Sequence, residues 1–382
     1  MLKDPRIDRL AGVLLRHSLD LQKGDIFQLN ASPAAKPLVA ALYREAAAMG
    51  VFPIIRWQDE EIGRMSFDVL TLEQPETARF LELSNKWEMT RWQGIAANLT
   101  VRAAENDQEN SQVPRDKIQM VGKAGEELSR LIIDQRKWAL FYWPTPGQAQ
   151  KAGLSNDAYL DFVLDVSLID YDQLLQAEQV LAKRMEAADQ VRILAPGTDL
   201  TFSIRGMAAV CCCGRRNVPD GEVYTAPLRE SVNGRITYNA PSTMWGQTFN
   251  NISLTFANGR IIKSECSGDN AALERIFDTD DGARYIGEFS FGVNPMIKHP
   301  TGSTLFDEKI TGSLHLTPGN AYAKADNGNK SIVHWDLIQI QRADYGGGEI
   351  WLDGELIRKD GLFVPEELQG LNPIRSQGDL IE

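Results

Sequence analysis

The sequence lacks most of the short motifs by which common enzyme classes are recognised. It contains no HExxH zinc motif, no GxSxG nucleophile elbow and no GxxxxGK[ST] phosphate loop. No GxGxxG motif follows a predicted strand. The glycine run Gly346, Gly347 and Gly348 leads into a predicted hairpin, so we interpret these residues as turn residues. These absences argue against a zincin, an α/β-type serine hydrolase and a nucleotide-binding domain.

Cysteine is also scarce. Three of the four cysteines, Cys211, Cys212 and Cys213, are adjacent, the fourth is Cys266, and no CxxC pair occurs. Neighbouring residues of a strand point to opposite faces, so these thiols could not easily share a metal. We interpret them as small buried side chains of a protein in a reducing compartment.

Long apolar runs and excess positive charge are missing as well. Apolar runs such as WALFYW at 138–143 are far too short to span a membrane. The N-terminal residues MLKDPRIDRL include no signal-peptide apolar region, which predicts a cytoplasmic protein. The net charge of −12 argues against nucleic acid and anionic membranes as partners, and it leaves cationic or zwitterionic small substrates possible.

The length of the chain, 382 residues, is typical of a protein with two domains. In the first half, predicted helices alternate with short apolar strands, which is typical of a parallel sheet covered by helices. The first predicted helix is PRIDRLAGVLLRHSLDL, and further helices are predicted over 34–49, 67–85, 114–135 and 171–188. The predicted strands are DIFQLNAS, VFPIIRW, WALFYW and QVRILAPG.

The pattern changes near residue 198, after which strands dominate. The dipeptides Asn258-Gly259 and Asp353-Gly354 favour tight hairpin turns between antiparallel strands. We therefore predict an α/β N-terminal domain over 1–198, with a parallel sheet and helices. A mainly antiparallel α+β C-terminal domain is predicted over 199–382, and the histidines and carboxylates described below make it the candidate metal-binding domain.

Four histidines occur in the chain. His17 lies in the predicted first helix and His299 in a loop, and both are interpreted as exposed. His315 lies in GSLHLTPGNAY and His334 in SIVHWDLIQI, which is predicted as a strand over 331–340. Because side chains alternate along a strand, His334 and Asp336 would stand side by side on one face. A buried pair of this kind needs a partner, and a metal ion is one candidate.

Three glutamates extend this candidate site: Glu222 in NVPDGEVYTAP, Glu288 in YIGEFSFGVNP and Glu308 in LFDEKITGSLH. Glutamate is poorly suited to strands, although each could be a solvated residue at a strand edge or turn. Carboxylates with imidazoles suit zinc, manganese, cobalt or iron(II). The set exceeds the needs of one metal and would suit two ions ~3.5–4 Å apart with a bridging carboxylate.

Several segments of the second half resemble the aminopeptidase T family of metallopeptidases, which includes aminopeptidase S and PepS. The resemblance is specific over about 215–357 and looser in the first half. The segments are, in chain order, NVPDGEVYTAPLRESVNGRI, GEFSFGVNP, LFDEKITGSLHLTPGNAY, IVHWDLI and GGEIWLDGELI.

The resemblance implies a metal-dependent aminopeptidase that releases N-terminal amino acids from peptides. It implies two divalent ions per chain, which would be zinc, cobalt, manganese or magnesium, and a homodimer. Transferred by motif, the implied catalytic residues are Glu288, Tyr322 and Glu222. The implied metal ligands are Glu222, Glu288, Glu308, His315, His334 and Asp336.

Two alternatives stay open at this point. His315, His334 and Asp336 alone would suit a mononuclear iron(II) ring-cleaving dioxygenase of the dihydroxypyridine type, a group that resembles the same family. Such a site has no use for Glu222 and Glu288, which favours the hydrolase. The other alternative is a non-catalytic relative that keeps the scaffold and binds peptide or metal.

Overall fold

The structure, a computed structural model, describes residues 4–373 and divides into two compact units. The first unit comprises the residues up to Leu168 together with Gly214–Pro219. The second comprises Ile169–Cys213 and the residues from Asp220 onward. The predicted boundary at 198/199 differs from this division for residues 169–198, whose helix packs against strands of the second unit, and for residues 214–219.

The element bounds are as follows. The α-helices are α1 (Pro5–Gly12), α2 (Lys36–Met49), α3 (Glu60–Asp68), α4 (Pro75–Arg91), α5 (Arg115–Ala124), α6 (Glu126–Gln135), α7 (Pro146–Lys151), α8 (Asn156–Ser167), α9 (Tyr171–Ala187), α10 (Asn270–Phe277) and α11 (Thr304–Asp307). The strands are β1 (Ile26–Ala31), β2 (Phe52–Trp57), β3 (Ala97–Arg102), β4 (Lys137–Tyr142), β5 (Gln190–Ala195), β6 (Thr198–Ser203), β7 (Val210–Cys212), β8 (Asn217–Val218), β9 (Glu222–Thr225), β10 (Asn233–Thr237), β11 (Ser242–Met244), β12 (Gln247–Ala257), β13 (Arg260–Ser267), β14 (Ile286–Gly292), β15 (Ser313–Pro318), β16 (Leu337–Ile340), β17 (Glu349–Leu352), β18 (Glu355–Lys359) and β19 (Leu362–Phe363). A π-helical turn, Val13–Ser18, follows α1, and the 3-10 turns are Pro33–Ala35, Trp92–Gly94, Asp281–Arg284, Ala323–Ala325, Ala343–Tyr345 and Glu366–Leu371.

The first unit contains a parallel sheet of strand order β2-β1-β3-β4-β8, which confirms the α/β prediction. Helix α2 ends at Gly50, whose φ of 70° is the left-handed value for which glycine is favoured at a helix end. Strand β3 is absent from the sequence prediction. Its buried residues Ala97, Leu99 and Val101 alternate with more exposed ones, so it carries the usual strand pattern.

Two predicted helices of this unit are shorter than expected. The helix predicted over 67–85 is replaced by α3 and α4, and α4 begins at Pro75, a residue favoured in the first turn. The helix predicted over 114–135 is divided at Gly125 into α5 and α6. Among residues 4–373, no helix is both long enough and apolar enough to cross a membrane.

The second unit contains two antiparallel sheets, as predicted. One has the strand order β11-β12-β10-β6-β5-β17-β18-β19, with β13 beside β12, and the other has the order β16-β15-β14-β9-β7. The assignment of β5 to the parallel series is wrong. Strand β5 pairs antiparallel with β6 and β17, because the turn Pro196–Gly197 that joins it to β6 is too short for a crossover.

The predicted strand over 331–340 is wrong in its first half. The strand β16 is limited to Leu337–Ile340, and the side chain of Ile332 is 80% exposed instead of lying on a buried face. The Ser331 hydroxyl and the Ile332 N–H donate to the carboxylate of Asp280. Because these groups are paired with a loop, the segment joins the sheet only later.

Strand β14 has two different faces. Phe289 and Phe291 are buried on one face, where the rings of Phe289 and Phe202 meet edge-on with centroids 5.1 Å apart. Glu288 and Ser290 point to the other face. Burying a phenylalanine side chain stabilises a fold by about 1.5–3 kcal/mol, so the apolar face holds the strand in place while the other face carries polar groups.

Gly287 makes a close contact that a larger residue could not. A Cβ at this position would lie 2.3 Å from the Gly319 carbonyl oxygen and 2.5 Å from that of Asn320. We expect Gly287→Ala to lower the free energy of unfolding by about 1–3 kcal/mol, the usual cost of overpacking, in urea or thermal unfolding. The matched control is Gly63→Ala, where a Cβ meets nothing within 4 Å. Equal stability of the two variants would contradict this expectation.

Candidate active site

Three strands of the sheet β16-β15-β14-β9-β7 present polar residues on one face. Ser290 of β14 pairs with His315 of β15, and Gly292 of β14 pairs with Glu222 of β9. Because side chains alternate along each strand, Glu222 and Glu288 point to the same face as His315. The sheet therefore gathers three candidate residues that are far apart in the sequence.

His315 is the centre of the first group of candidate ligands. Its Nε2 lies 3.0 Å from Glu288 Oε1 and 3.3 Å from Glu222 Oε2, and its imidazole is buried. Its Nδ1 lies 3.2 Å from the carbonyl oxygen of Glu308, and a carbonyl only accepts, so Nδ1–H is the donor. This leaves Nε2 to face the carboxylates, which is how histidine ligands of metals are usually oriented.

His334 and Asp336 form the second group, on the loop before β16. Their Nε2 and Oδ1 atoms are 3.4 Å apart, and His334 Nε2 lies 3.7 Å from Glu288 Oε2. His334 Nδ1–H donates to the Asn320 carbonyl at 2.8 Å, so this imidazole is oriented as the first one is. Asp336 Oδ1 accepts a hydrogen bond of 2.7 Å from the Thr317 hydroxyl.

Trp335, which lies between these two residues, anchors their loop. Its ring contacts Phe249 and Phe277, with centroids 5.4 Å and 6.0 Å apart, and its Nε1–H donates to Ser242 Oγ at 2.7 Å. Successive residues of an extended chain point in opposite directions. The burial of Trp335 therefore turns both of its neighbours toward the site.

The ligand atoms of the two groups meet at Glu288. Glu222, Glu288 and His315 offer atoms within 4.8 Å of one another, and so do Glu288, His334 and Asp336. Glu288 Oε2 is buried without a hydrogen-bond partner among the described residues, which is unusual for a carboxylate. Carboxylate oxygens with imidazole nitrogens are a donor set of zinc, cobalt and manganese. The residues therefore fit divalent cations.

Glu308 has a different environment from the other predicted ligands. It follows α11, and its carboxylate contacts the ammonium group of Lys309, which is completely buried. The same ammonium lies 3.8 Å from Glu222 Oε1. The Glu308 carboxylate belongs to none of the three groups of close ligand atoms found among residues 4–373, the third of which is Cys212, Asp220 and Glu222.

Tyr322 lies at the edge of the site, beside His334. The two ring centroids are 4.5 Å apart, and the ring centroid of a second tyrosine, Tyr224, lies 5.8 Å from that of Tyr322. Partial burial and the charges of nearby carboxylates, above all Asp336, raise the pKa of Tyr322. Its phenol therefore stays protonated and can donate a hydrogen bond at neutral pH.

Four carboxylates lie near one another in the site, those of Glu222, Glu288, Glu308 and Asp336, and together they form an acidic cluster. Burial raises the pKa of both Glu288 and Glu308. Burial opposes a charge on His315, but its hydrogen bond with Glu288 and the surrounding carboxylates raise the pKa of the imidazole to about 10. Burial also opposes a charge on Asp336, but His334 and His315 outweigh it and lower the pKa of that carboxyl group. The negative groups thus exceed their positive partners, which attracts protons or cations.

The residues that support the ligands were missed by the sequence analysis. Ser290 Oγ donates to Glu222 Oε2 at 3.2 Å, and Thr317 supports the second group. A signal for both was present, because Ser290 follows Glu288 by two positions and Thr317 follows His315 by two. On a strand, that spacing places each pair on one face.

Comparison with known proteins identifies a family and several relatives of this chain. A family model described as thermophilic metalloprotease (M29) matches residues 3–363. Aminopeptidase 2 of Geobacillus stearothermophilus is 26% identical over 415 residues, which cover 95% of this chain and 96% of that protein. Aminopeptidase T of Thermus aquaticus is 33% identical over 197 residues, which cover 44% of this chain and 45% of that protein.

The fold is shared with a solved structure. Wild-type AmpT from Thermus thermophilus aligns with a TM-score of 0.77 and 21% identity, over 94% of this chain and 99% of that one. The family model covers nearly the whole sequence. The chain therefore belongs to the thermophilic metalloprotease (M29) family.

Proposed function

We propose that this protein is an aminopeptidase that hydrolyses N-terminal amino acids from peptides and uses two divalent ions per chain. The observation that carries the proposal is the position of Glu288, which is shared between a group with Glu222 and His315 and a group with His334 and Asp336. Zinc, cobalt, manganese and magnesium are the candidate ions. The names of the relatives, which are aminopeptidases, support the choice of substrate.

The chain's own residues would divide the work of hydrolysis between them. When bound, divalent ions supply Lewis acidity and lower the pKa of water toward ~7. A carboxylate of the site, that of Glu288 or Glu222, would take the proton of the attacking water and pass it to the leaving amine. Glu222 is less suited to this transfer, because its oxygens already face Lys309 and Ser290. Glu308, paired with Lys309, would assist as a ligand or by its charge.

The two alternatives differ from the proposal in metal content or in activity. A mononuclear dioxygenase site would hold one iron per chain, whereas the proposed site holds two divalent ions. Membership of a metalloprotease family favours hydrolysis. A non-catalytic relative would bind metal but would cleave no aminoacyl-anilide. Elemental analysis and an activity screen on the purified, metal-supplemented protein separate the three.

A cytoplasmic location and a homodimeric assembly are part of the same proposal. The location is supported by Cys211, Cys212 and Cys266, which are free thiols of the kind found in reducing compartments. The homodimer rests on the resemblance to the aminopeptidase T family alone.

We expect His334→Ala to abolish metal-dependent cleavage of aminoacyl-p-nitroanilides, because the second group would retain only carboxylates. Circular dichroism and thermal unfolding should show that the variant stays folded. The matched control is His299→Ala, whose imidazole contacts the Tyr345 hydroxyl at 3.1 Å and should not be needed for turnover. Undiminished activity of His334→Ala would remove the proposal.

Thr317→Val should weaken metal binding while the shape of the side chain is kept. Loss of the hydrogen bond to Asp336 leaves that ligand less well oriented, and losses of this kind cost about 10–100-fold in affinity. Competition with a chromophoric chelator measures the effect. Thr243→Val is the control, because its hydroxyl bonds only to the exposed Thr248 in the described structure. An unchanged affinity for Thr317→Val would show that this hydrogen bond does not orient the ligand.

Tyr322→Phe tests whether the phenol stabilises the oxyanion that forms during hydrolysis. We expect kcat to fall by about 10²–10³-fold, with little change in KM or in metal affinity, since one oxyanion donor is lost. If the phenol instead reached a metal, metal affinity would fall as well. Tyr345→Phe, which removes a hydroxyl that contacts His299, serves as the control. Unaltered kcat in Tyr322→Phe would exclude both roles.

A further inference from the structure

A buried lysine stands inside the acidic cluster. The side chain of Lys309 is 0% exposed, and its Nζ contacts Glu308 Oε1 and lies 3.8 Å from Glu222 Oε1. Its charge also acts on Asp220. An ammonium group without solvent is costly to bury unless carboxylates pair with it. The ammonium group of Lys309 is therefore paired with Glu308 and faces Oε1 of Glu222, while His315 lies at Oε2.

The backbone of Lys309 is itself fixed by hydrogen bonds. Its N–H donates to the Phe306 carbonyl at 3.1 Å, and its carbonyl accepts from the Asn294 N–H at 3.1 Å. Asp307 accepts from the N–H of Thr301 at 2.6 Å and from its hydroxyl at 2.9 Å. The fold, and not the carboxylates alone, therefore sets where the ammonium lies.

The two oxygens of Glu222 have separate partners. Oε1 faces Lys309 at 3.8 Å. Oε2 accepts from Ser290 Oγ at 3.2 Å and lies 3.3 Å from His315 Nε2. The terminal torsion of a glutamate is broad, so its carboxylate rotates easily unless both oxygens are engaged. Lys309 and Ser290 together restrict this rotation.

Lys309 also supplies positive charge near Oε1 of Glu222 and the residues around it. Cys212, Asp220 and Glu222 place ligand atoms within 4.8 Å of one another, a third grouping next to the two already described. The charge of Lys309 acts on Asp220 and Glu222 and also on Cys212. The ammonium group of Lys309 therefore already supplies positive charge to this third group of residues.

We infer that Lys309 is a positioning residue of the hydrolytic site, whose ammonium group fixes the rotation of the Glu222 carboxylate so that Oε2 alone faces His315. The inference rests on the proposed function, because it concerns how that same site is built. Lys309 touches the two groups of candidate ligands only through Glu222, and its other carboxylate partner, Glu308, belongs to neither group.

The test is Lys309→Met, which keeps the length of the side chain and removes its charge. We expect kcat to fall by about 100-fold, the size typical of a reacting group displaced by 1 Å, with KM nearly unchanged. Metal affinity should rise by about tenfold, because a cation no longer competes with the ammonium for Glu222. The visible absorption of the Co²⁺-loaded protein should change, because both oxygens of Glu222 become available to the ion.

The opposite directions of these changes separate positioning from general destabilisation. A variant that is merely less stable would bind metal more weakly and lose activity in proportion, and that result would overturn the inference. Wild-type kcat with a wild-type Co²⁺ spectrum would also overturn it. Lys330→Met is the matched control, because Lys330 is exposed and pairs with Asp326 at 3.0 Å.

A second variant and two measurements that need no turnover keep the test decisive. If Lys309→Met does not fold, Lys309→Gln keeps a hydrogen-bond donor without the charge, and the same changes in metal affinity and spectrum are expected. If the wild-type protein cleaves no aminoacyl-anilide, the proposed function fails. The Co²⁺ spectrum and the metal affinity still decide the role of Lys309, because neither measurement requires turnover.

Discussion

Repulsion between buried carboxylates is the interaction on which the candidate site depends. Two unit charges 4 Å apart interact by about 4 kcal/mol at an effective dielectric constant of ~20, so an acidic cluster away from water needs positive partners. Lys309 is one such partner, and protonated His315 is another when no cation is bound, since the pKa of its imidazole is raised to about 10. A divalent cation must therefore displace protons to bind, which couples metal affinity to pH.

Two kinds of support hold the candidate ligands. Glu222, Glu288 and His315 lie on hydrogen-bonded strands of one sheet, where the register sets their spacing. His334 and Asp336 lie on a loop that depends on the burial of the tryptophan between them. Both imidazoles nevertheless direct Nδ1–H to a backbone carbonyl. The backbone thus sets which nitrogen faces the carboxylates, whether the histidine lies on a strand or on a loop.

The sequence predicted the two-domain fold class and the candidate residues better than it predicted the details that join them. Alternation along a strand correctly placed His334 beside Asp336, although that segment is a loop until Leu337. The alternation survives because Trp335 is buried, which is a tertiary effect. The direction of β5 could not be read from its own apolar residues, since a buried strand looks alike in a parallel and an antiparallel sheet. The pairing of Lys309 with Glu222 joins residues far apart in the chain, so no local pattern indicated it.

A local irregularity of the sheet links the two groups of ligands. The pairing of β14 with β15 shifts register between Ile286 and Glu288, and such bulges commonly redirect a side chain beside an active site. Gly287 lies at the shift, packed against the carbonyl oxygens of residues 319 and 320. The second of these carbonyls is the one that orients His334. The backbone contact at Gly287 therefore joins the strand position next to Glu288, the candidate ligand shared by the two groups, to the carbonyl that accepts from His334.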